Sequence, residues 1–208
     1  MIPSLIIVHF LSFQLLRVAA APKETPQTFE LHLPKKSDIK PPTGMTLKYV
    51  ALGSGTQNYI CQKDPAGNTA SWAPHGADAT LYDISKDSSK ATRLATDLMV
   101  GSKDKRARPN LKSYPAFGKH SFVPNNGKPA PRFQIYSDVI IVKKTQQASS
   151  PKNPQRNVDW LQLETVGGNF AKRVYRTSTR GGKAPAAKCQ SLNEIINQPY
   201  AAIYSFWA

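Results

Sequence analysis

The chain is short of cysteine, histidine and acidic residues, and it has almost no helical periodicity. Cys61 and Cys189 are its two cysteines, which limits any disulfide framework to one bridge. There are four histidines. His9 sits in an N-terminal apolar run, and no two of His32, His75 and His120 have an HxH or HxxxH metal-ligand spacing. No GxSxG, HExxH or ordered Ser/His/Asp pattern occurs, so no hydrolase or metalloprotease signature is present. No Asn-x-Ser/Thr site occurs, and N-glycosylation is not expected. Beyond residue 21 no apolar run is long enough to span a bilayer, so no transmembrane segment is expected after that point. Acidic residues number 13 against 28 Lys and Arg, a net charge of +15.

What is present begins with a short apolar run over residues 5–16, followed by Ala19, Ala20 and Ala21. This is the h-region and small-residue cleavage site of a signal peptide, read as residues 1–20, although the n-region has no Lys or Arg. The remaining chain would then be secreted, to the extracellular space or the cell wall. On that oxidising route the two cysteines predict a Cys61–Cys189 disulfide. Closing so long a loop stabilises by roughly 5 kcal/mol on the chain-entropy argument.

Residues 21–43 are rich in Pro and Lys and read as an extended arm over the domain surface. The stretch 44–61, GMTLKYVALGSGTQNYIC, organises the rest of the domain and is read as strand, turn, strand, broken at Gly53-Ser54-Gly55. Further strands are expected at 79–84, 120–123, 133–136, 139–142, 158–166, 173–179 and 200–207. Asn125-Asn126-Gly127 and Gly167-Gly168 mark hairpin turns. Residues 91–100 read as a helical turn or a strand pair, 103–108 as a charged loop, and 146–157 as a solvated loop. Residues 192–197 read as helical, stopped by Pro199. The stretch 200–207 is apolar on both faces, which marks a central strand. Short strands, many turns and seventeen prolines predict an all-β antiparallel sandwich or barrel. It forms a single domain over 44–208, with one disulfide and very little helix.

Gly53-Ser54-Gly55-Thr56-Gln57-Asn58 follows a strand and starts like a dinucleotide fingerprint. Asn58 stands where a third small residue is needed, and the β-rich Tyr59-Ile60-Cys61 replaces the required helix, so no nucleotide cofactor is expected. His120 is the histidine of interest, at a strand start. An enzyme, either a hydrolase or metal-dependent, would be built on His120 with Asp83 or Asp159. No metal site is otherwise expected. The basic residues lie in groups at 35–36, 103–108, 143–144 and 172–183. By strict alternation Arg176 and Arg180 share one strand face, with Lys183 just beyond the Gly181-Gly182 turn. These three are the expected binding residues for an anionic glycan or cell-wall polymer, and secretion makes nucleic acid an unfavoured partner.

With these residues laid out, the chain resembles a family of secreted fungal and bacterial proteins classed as a domain of unknown function, the DUF3455 type. The resemblance rests on Pro41-Pro42-x-Gly44, Leu47 to Val50, Gly53-x-Gly55-Thr56-Gln57-Asn58-Tyr59 and Cys61. It continues through Leu81-Tyr82-Asp83, Gly118-x-His120-x-Phe122 and Trp160-Leu161. It closes on Val174-Tyr175-Arg176-Thr177, Gly181-Gly182, Cys189 and Tyr200-x-Ala202-x-Tyr204. Many relatives carry the label malate dehydrogenase, so the resemblance implies that activity as a further reading. It supplies no catalytic residues to carry over. Three readings therefore stand: a secreted non-catalytic binding domain at a cell wall or host surface, a secreted enzyme centred on His120, and a malate dehydrogenase by family label.

Overall fold

The computed structural model of the chain describes residues 29–64, 66–67, 69–99 and 111–208. The expected signal peptide, the start of the arm and the charged loop at 103–108 lie outside them. Eight antiparallel strands follow one another in chain order: β1 Leu47–Lys63, β2 Ala70–Asp83, β3 Ala116–Asn125, β4 Lys128–Ile135, β5 Asp138–Ala148, β6 Trp160–Gly167, β7 Arg173–Gly181 and β8 Ile195–Trp207. Each pairs with the next, and β8 pairs with β1, so the sheet closes into an up-and-down barrel. Of the two expected architectures the barrel is therefore the one adopted, and closure gives every one of these strands a paired neighbour on each side.

Inside the barrel, Leu81, Phe133, Ile135, Ile140, Val174, Tyr204 and Phe206 are essentially inaccessible to solvent. They form one cluster with Tyr49 and Phe170 packed against it. A second apolar cluster lies on the outer wall. Between β2 and β3 the chain makes a 3-10 segment, Ser85–Lys90, and one helix, α1, Ala91–Met99. Leu94 and Ala95 of α1, with Ile84, cover Val50 and Leu52 of β1 and Ile203 of β8. Those two strands are thus buried on both sides, which is why their sequences are apolar without alternation. Residues 29–43 form no helix or strand. They run over the outer wall, where the Lys40 amide donates to Gln162 Oε1 and Tyr175 Oη donates to the Lys40 carbonyl.

Three expectations need correction, and one alternative is decided. Residues 44–61 are not strand, turn, strand: β1 is one continuous strand of 17 residues. The glycines lie inside it because neighbours need their space. A Cβ on Gly53 would sit 2.6 Å from the Tyr204 ring, and one on Gly55 2.0 Å from the Asp78 carbonyl oxygen. Residues 192–197 are not helical. They turn at Asn193, whose φ is +68°, and enter β8, with Pro199 inside that strand. Pairing with β1 prevails over local helix preference there, as it often does for short segments. Of the two readings of residues 91–100, the helical one is adopted, over 91–99. Part of the expected loop at 146–157 belongs to β5, which continues to Ala148. Both hairpin turns are found, with positive φ at Asn126, Gly127 and Gly168. The Cys61–Cys189 disulfide is present, with Cα atoms 5.7 Å apart and a separation of 128 residues.

Candidate functional site

The two ends of the barrel differ. The end carrying the start of β1 and the close of β8 is plugged by aromatic rings. Tyr49 meets Phe117 at 5.7 Å between ring centres, Phe133 meets Phe206 at 5.4 Å, and Phe170 meets Phe206 at 5.7 Å, in edge-on or tilted contacts. The other end is open. It holds a cavity of about 810 Å³, within the range of small-molecule sites. Trp72, Phe122, Pro131 and Leu161 supply half-buried apolar wall, while Gln57, Tyr59, Asp159, Arg176 and Lys183 supply polar groups. Lys143 and Lys144 stand at the rim.

Strand alternation explains this lining. Odd-numbered residues of β1 face inward, so Gln57 and Tyr59 lie on the same face as Ala51 and Gly53. On β7, Val174 and Arg176 face inward, opposite Phe206 and Tyr204 of β8. Arg176 therefore carries its guanidinium into the barrel. Nε and Nη2 donate to the Asp159 carbonyl at 3.1 and 2.9 Å, and Nη1 donates to Gln57 Oε1 at 3.4 Å. Among the described residues no carboxylate forms an ion pair with Arg176: its hydrogen-bond acceptors are neutral. The Asp159 carboxylate instead pairs with Lys183 Nζ at 3.1 Å. The positive charge of Arg176 reaches several neighbouring groups. It acts to lower the pKa values of Tyr59, Tyr200 and Tyr204, although burial wins and raises all three.

The segment that presents Asp159 is sewn to the end of β7. The Val158 amide donates to the Gly181 carbonyl, Thr179 Oγ1 donates to the Val158 carbonyl, and the Gly181 amide donates to Asn157 Oδ1. Tyr59 Oη donates across the opening to the Gly182 carbonyl at 2.7 Å. The disulfide fastens the following segment to β1, where the Cys61 amide also donates to the Glu194 carbonyl. The rim carrying Lys183 is thus fixed by a covalent bond and by backbone hydrogen bonds.

Arg180 does not join this site. The pairing of β7 with β8 shifts between Thr177 and Arg180, and Ser178 has a φ of +49°. This bulge reverses the alternation. Arg176 points inward and Arg180 outward, where its Nε donates to Thr96 Oγ1 of α1 at 3.0 Å. Ser178 Oγ itself bonds Thr92 Oγ1 at 2.9 Å, which docks α1 on the bulge. Arg176 and Lys183 line one cavity; Arg180 is separated from them by the barrel wall.

His120 faces inward, fully buried. Its ring stacks on Phe133 at 4.3 Å and lies 5.6 Å from both Phe122 and Tyr204. Nδ1 bonds the Arg132 carbonyl at 3.1 Å. Burial, with a smaller contribution from the Arg176 charge, pushes the pKa down to about 4, so the ring is neutral at physiological pH. Neither Asp83 nor Asp159 bonds it. Asp83 caps the turn after β2 by accepting from the Ser85 amide. His32 and His75 are exposed on the arm and on β2. Among the described residues no group of three or more His, Cys, Asp or Glu side chains is arranged to hold a metal ion. No described helix is long and apolar enough to cross a membrane. Trp72 and Phe122, the aromatic walls of the cavity, were not singled out from the sequence. The signal available was their position on inward faces, legible once strand register is known.

Fold and site together define an eight-stranded up-and-down barrel with one plugged end and one open, cationic end. The chain belongs to the family described as "Protein of unknown function (DUF3455)", whose profile matches residues 42–208. No curated protein and no solved structure matches it.

Proposed function

We propose that the protein is a non-catalytic binding domain that holds an acidic ligand at the open end of its barrel. The observation that carries this reading is Arg176, a cation placed in the cavity wall with neutral hydrogen-bond acceptors and, among the described residues, no ion-pair partner. Ionised acceptors form stronger hydrogen bonds with guanidinium than neutral ones do. Lys143, Lys144 and Lys183 add positive potential around the same opening, against the single carboxylate of Asp159. Secretion, read from the N-terminal apolar run and consistent with the disulfide, puts the binding outside the cell, at a cell wall or host surface. Acidic cell-wall glycans are the first ligands to try there.

The test is retention on an immobilised polyuronate. The wild-type protein is expected to be retained and to elute as salt rises, because the screening length falls from about 10 Å at 0.1 M to about 3 Å at 1 M. The double variant Arg176→Gln, Lys183→Gln is expected to elute earlier, with folding at the column temperature checked by circular dichroism. Arg180→Gln serves as the control, since that side chain lies outside the cavity. Equal retention of all three proteins would remove the open end from consideration.

A further inference from the structure

We infer that the ligand of the open end is a small amphipathic organic acid, with its carboxylate at Arg176 and Lys183 and its apolar body inside the barrel. This rests on the reading above and narrows it from acidic ligands in general to one chemical class.

Three observations lead there. First, the cavity is blind. Beyond Arg176 the barrel is filled by Tyr204, His120 and Phe133, all buried, and then by the aromatic plug. The filled floor stops passage along the barrel axis, which suits a small molecule and excludes threading of a polymer through it. Second, much of the wall is apolar and only half-buried. Trp72, Phe122, Pro131 and Leu161 leave hydrocarbon and ring surface facing the cavity. A sugar ring placed there would lose water from its hydroxyls without gaining partners, and an unpaired buried polar group is unfavourable. An alkyl chain or aryl ring is stabilised in proportion to the apolar surface it removes from water. Third, below the rim, where Lys143, Lys144, Gln147, Asn125 and Asn126 stand, the polar groups are gathered on one side. Arg176, Lys183 and Gln57 stand together around Asp159, whose carboxylate Lys183 can exchange for that of the ligand, with Tyr59 beside them bonded to the Gly182 carbonyl. An apolar body with a single charged head matches that division, and a molecule charged all round does not. The His120, Tyr200 and Tyr204 layer beneath is neutral and self-satisfied. The Tyr200 and Tyr204 hydroxyls bond each other at 3.0 Å, and His120 bonds the Arg132 carbonyl. It forms a floor that offers no second charge.

The experiment is calorimetric titration of the protein with decanoate and with decanol, which share a chain length and differ in the head group. Decanoate is expected to bind saturably and at least tenfold more tightly than decanol. Arg176→Gln is expected to weaken decanoate at least tenfold and leave decanol unchanged. Trp72→Ala should weaken both, and Arg180→Gln neither. Should Arg176→Gln fail to fold, Lys183→Gln, on the rim, reports the same head-group effect. The inference is overturned if decanoate binds no tighter than decanol, or if both head-group variants bind it like the wild type. The two claims separate cleanly. Polyuronate retention that depends on Arg176 and Lys183, with no decanoate binding, sinks the amphipathic acid and leaves the acidic-ligand reading standing. Absence of both sinks the two together.

Discussion

The plugged and open ends of this barrel are made by the same eight strands, yet they are held by different forces. At the plugged end, large rings fill the lumen and backbone glycines let them approach. Gly53 leaves room for the Tyr204 ring, and Tyr204 in turn packs on Phe133 at 5.2 Å. Stability there comes from apolar burial and close packing. At the open end the lumen is left partly unfilled. Its shape is kept by the Cys61–Cys189 bridge, by the hydrogen bonds between 157–159 and β7, and by the Tyr59–Gly182 bond across the rim. A protein of this size can leave one end of its core open because the other end, and the outer cluster under α1, already bury enough apolar surface to hold the fold. The contrast teaches that the cavity is built by leaving rings out, with the missing packing replaced by a staple.

That contrast can be broken most severely at Gly55. A side chain there meets the backbone of β2, since its Cβ would lie 2.5 Å from the Ala79 Cα. Gly55→Val is expected to cost more than about 4 kcal/mol and to give little folded protein, read as loss of soluble expression and of the near-ultraviolet aromatic signal. A stable, native-like variant would show that β1 and β2 are less closely apposed.

The staple comes next. Replacing both cysteines by alanine is expected to cost about 2–5 kcal/mol in urea denaturation. The aromatic circular dichroism of the plugged end should persist at 25 °C, because none of its rings depends on the bridge. Loss of that signal at 25 °C would mean that the two ends are not energetically distinct.

The smallest of the three effects is on the floor between the ends. His120 is held neutral, with its pKa lowered to about 4 against 6.5 in the unfolded chain. Between those values the unfolded chain binds the proton and the folded chain does not, so stability falls as pH drops through that window. It is fully present above about 6.5 and lost below about 4. The whole effect amounts to roughly 3 kcal/mol at most, since each tenfold change in proton affinity is worth about 1.36 kcal/mol. His120→Phe keeps a ring against Phe133 and is expected to flatten the fall in melting temperature between pH 6.5 and pH 4. An unchanged slope in that variant would assign the acid sensitivity to other groups.

Much of the fold was legible in the residues. Alternating apolar stretches bounded by Gly, Pro and Asn indicated antiparallel strands. Asn126-Gly127 and Gly167-Gly168 marked their hairpins, and two cysteines in an otherwise cysteine-free chain indicated the bridge. The misreadings fall where a distant partner prevails over local preference. Gly53 and Gly55 look like a turn until Tyr204 and β2 are brought against them. Residues 195–197 look helical until β1 offers a ladder of backbone hydrogen bonds. The site was half legible. Arg176 and Lys183 stand out by their charge, and the structure brings them to one cavity. Strict alternation groups Arg180 with them, and the bulge at Ser178 turns it to the other side of the wall.

The sequence by itself determined the β class, the covalent closure and the excess of positive charge, because period, turn chemistry and composition are local properties of the chain. Only the tertiary structure decided that the sheet closes on itself and that one end is plugged while the other stays open. It also decided that Arg176 faces the cavity without a carboxylate partner among the described residues. Those outcomes depend on register between strands up to about 160 residues apart, as in the pairing of Leu47 with Trp207. A single bulge or a one-residue slip in that register sends every later side chain to the opposite face.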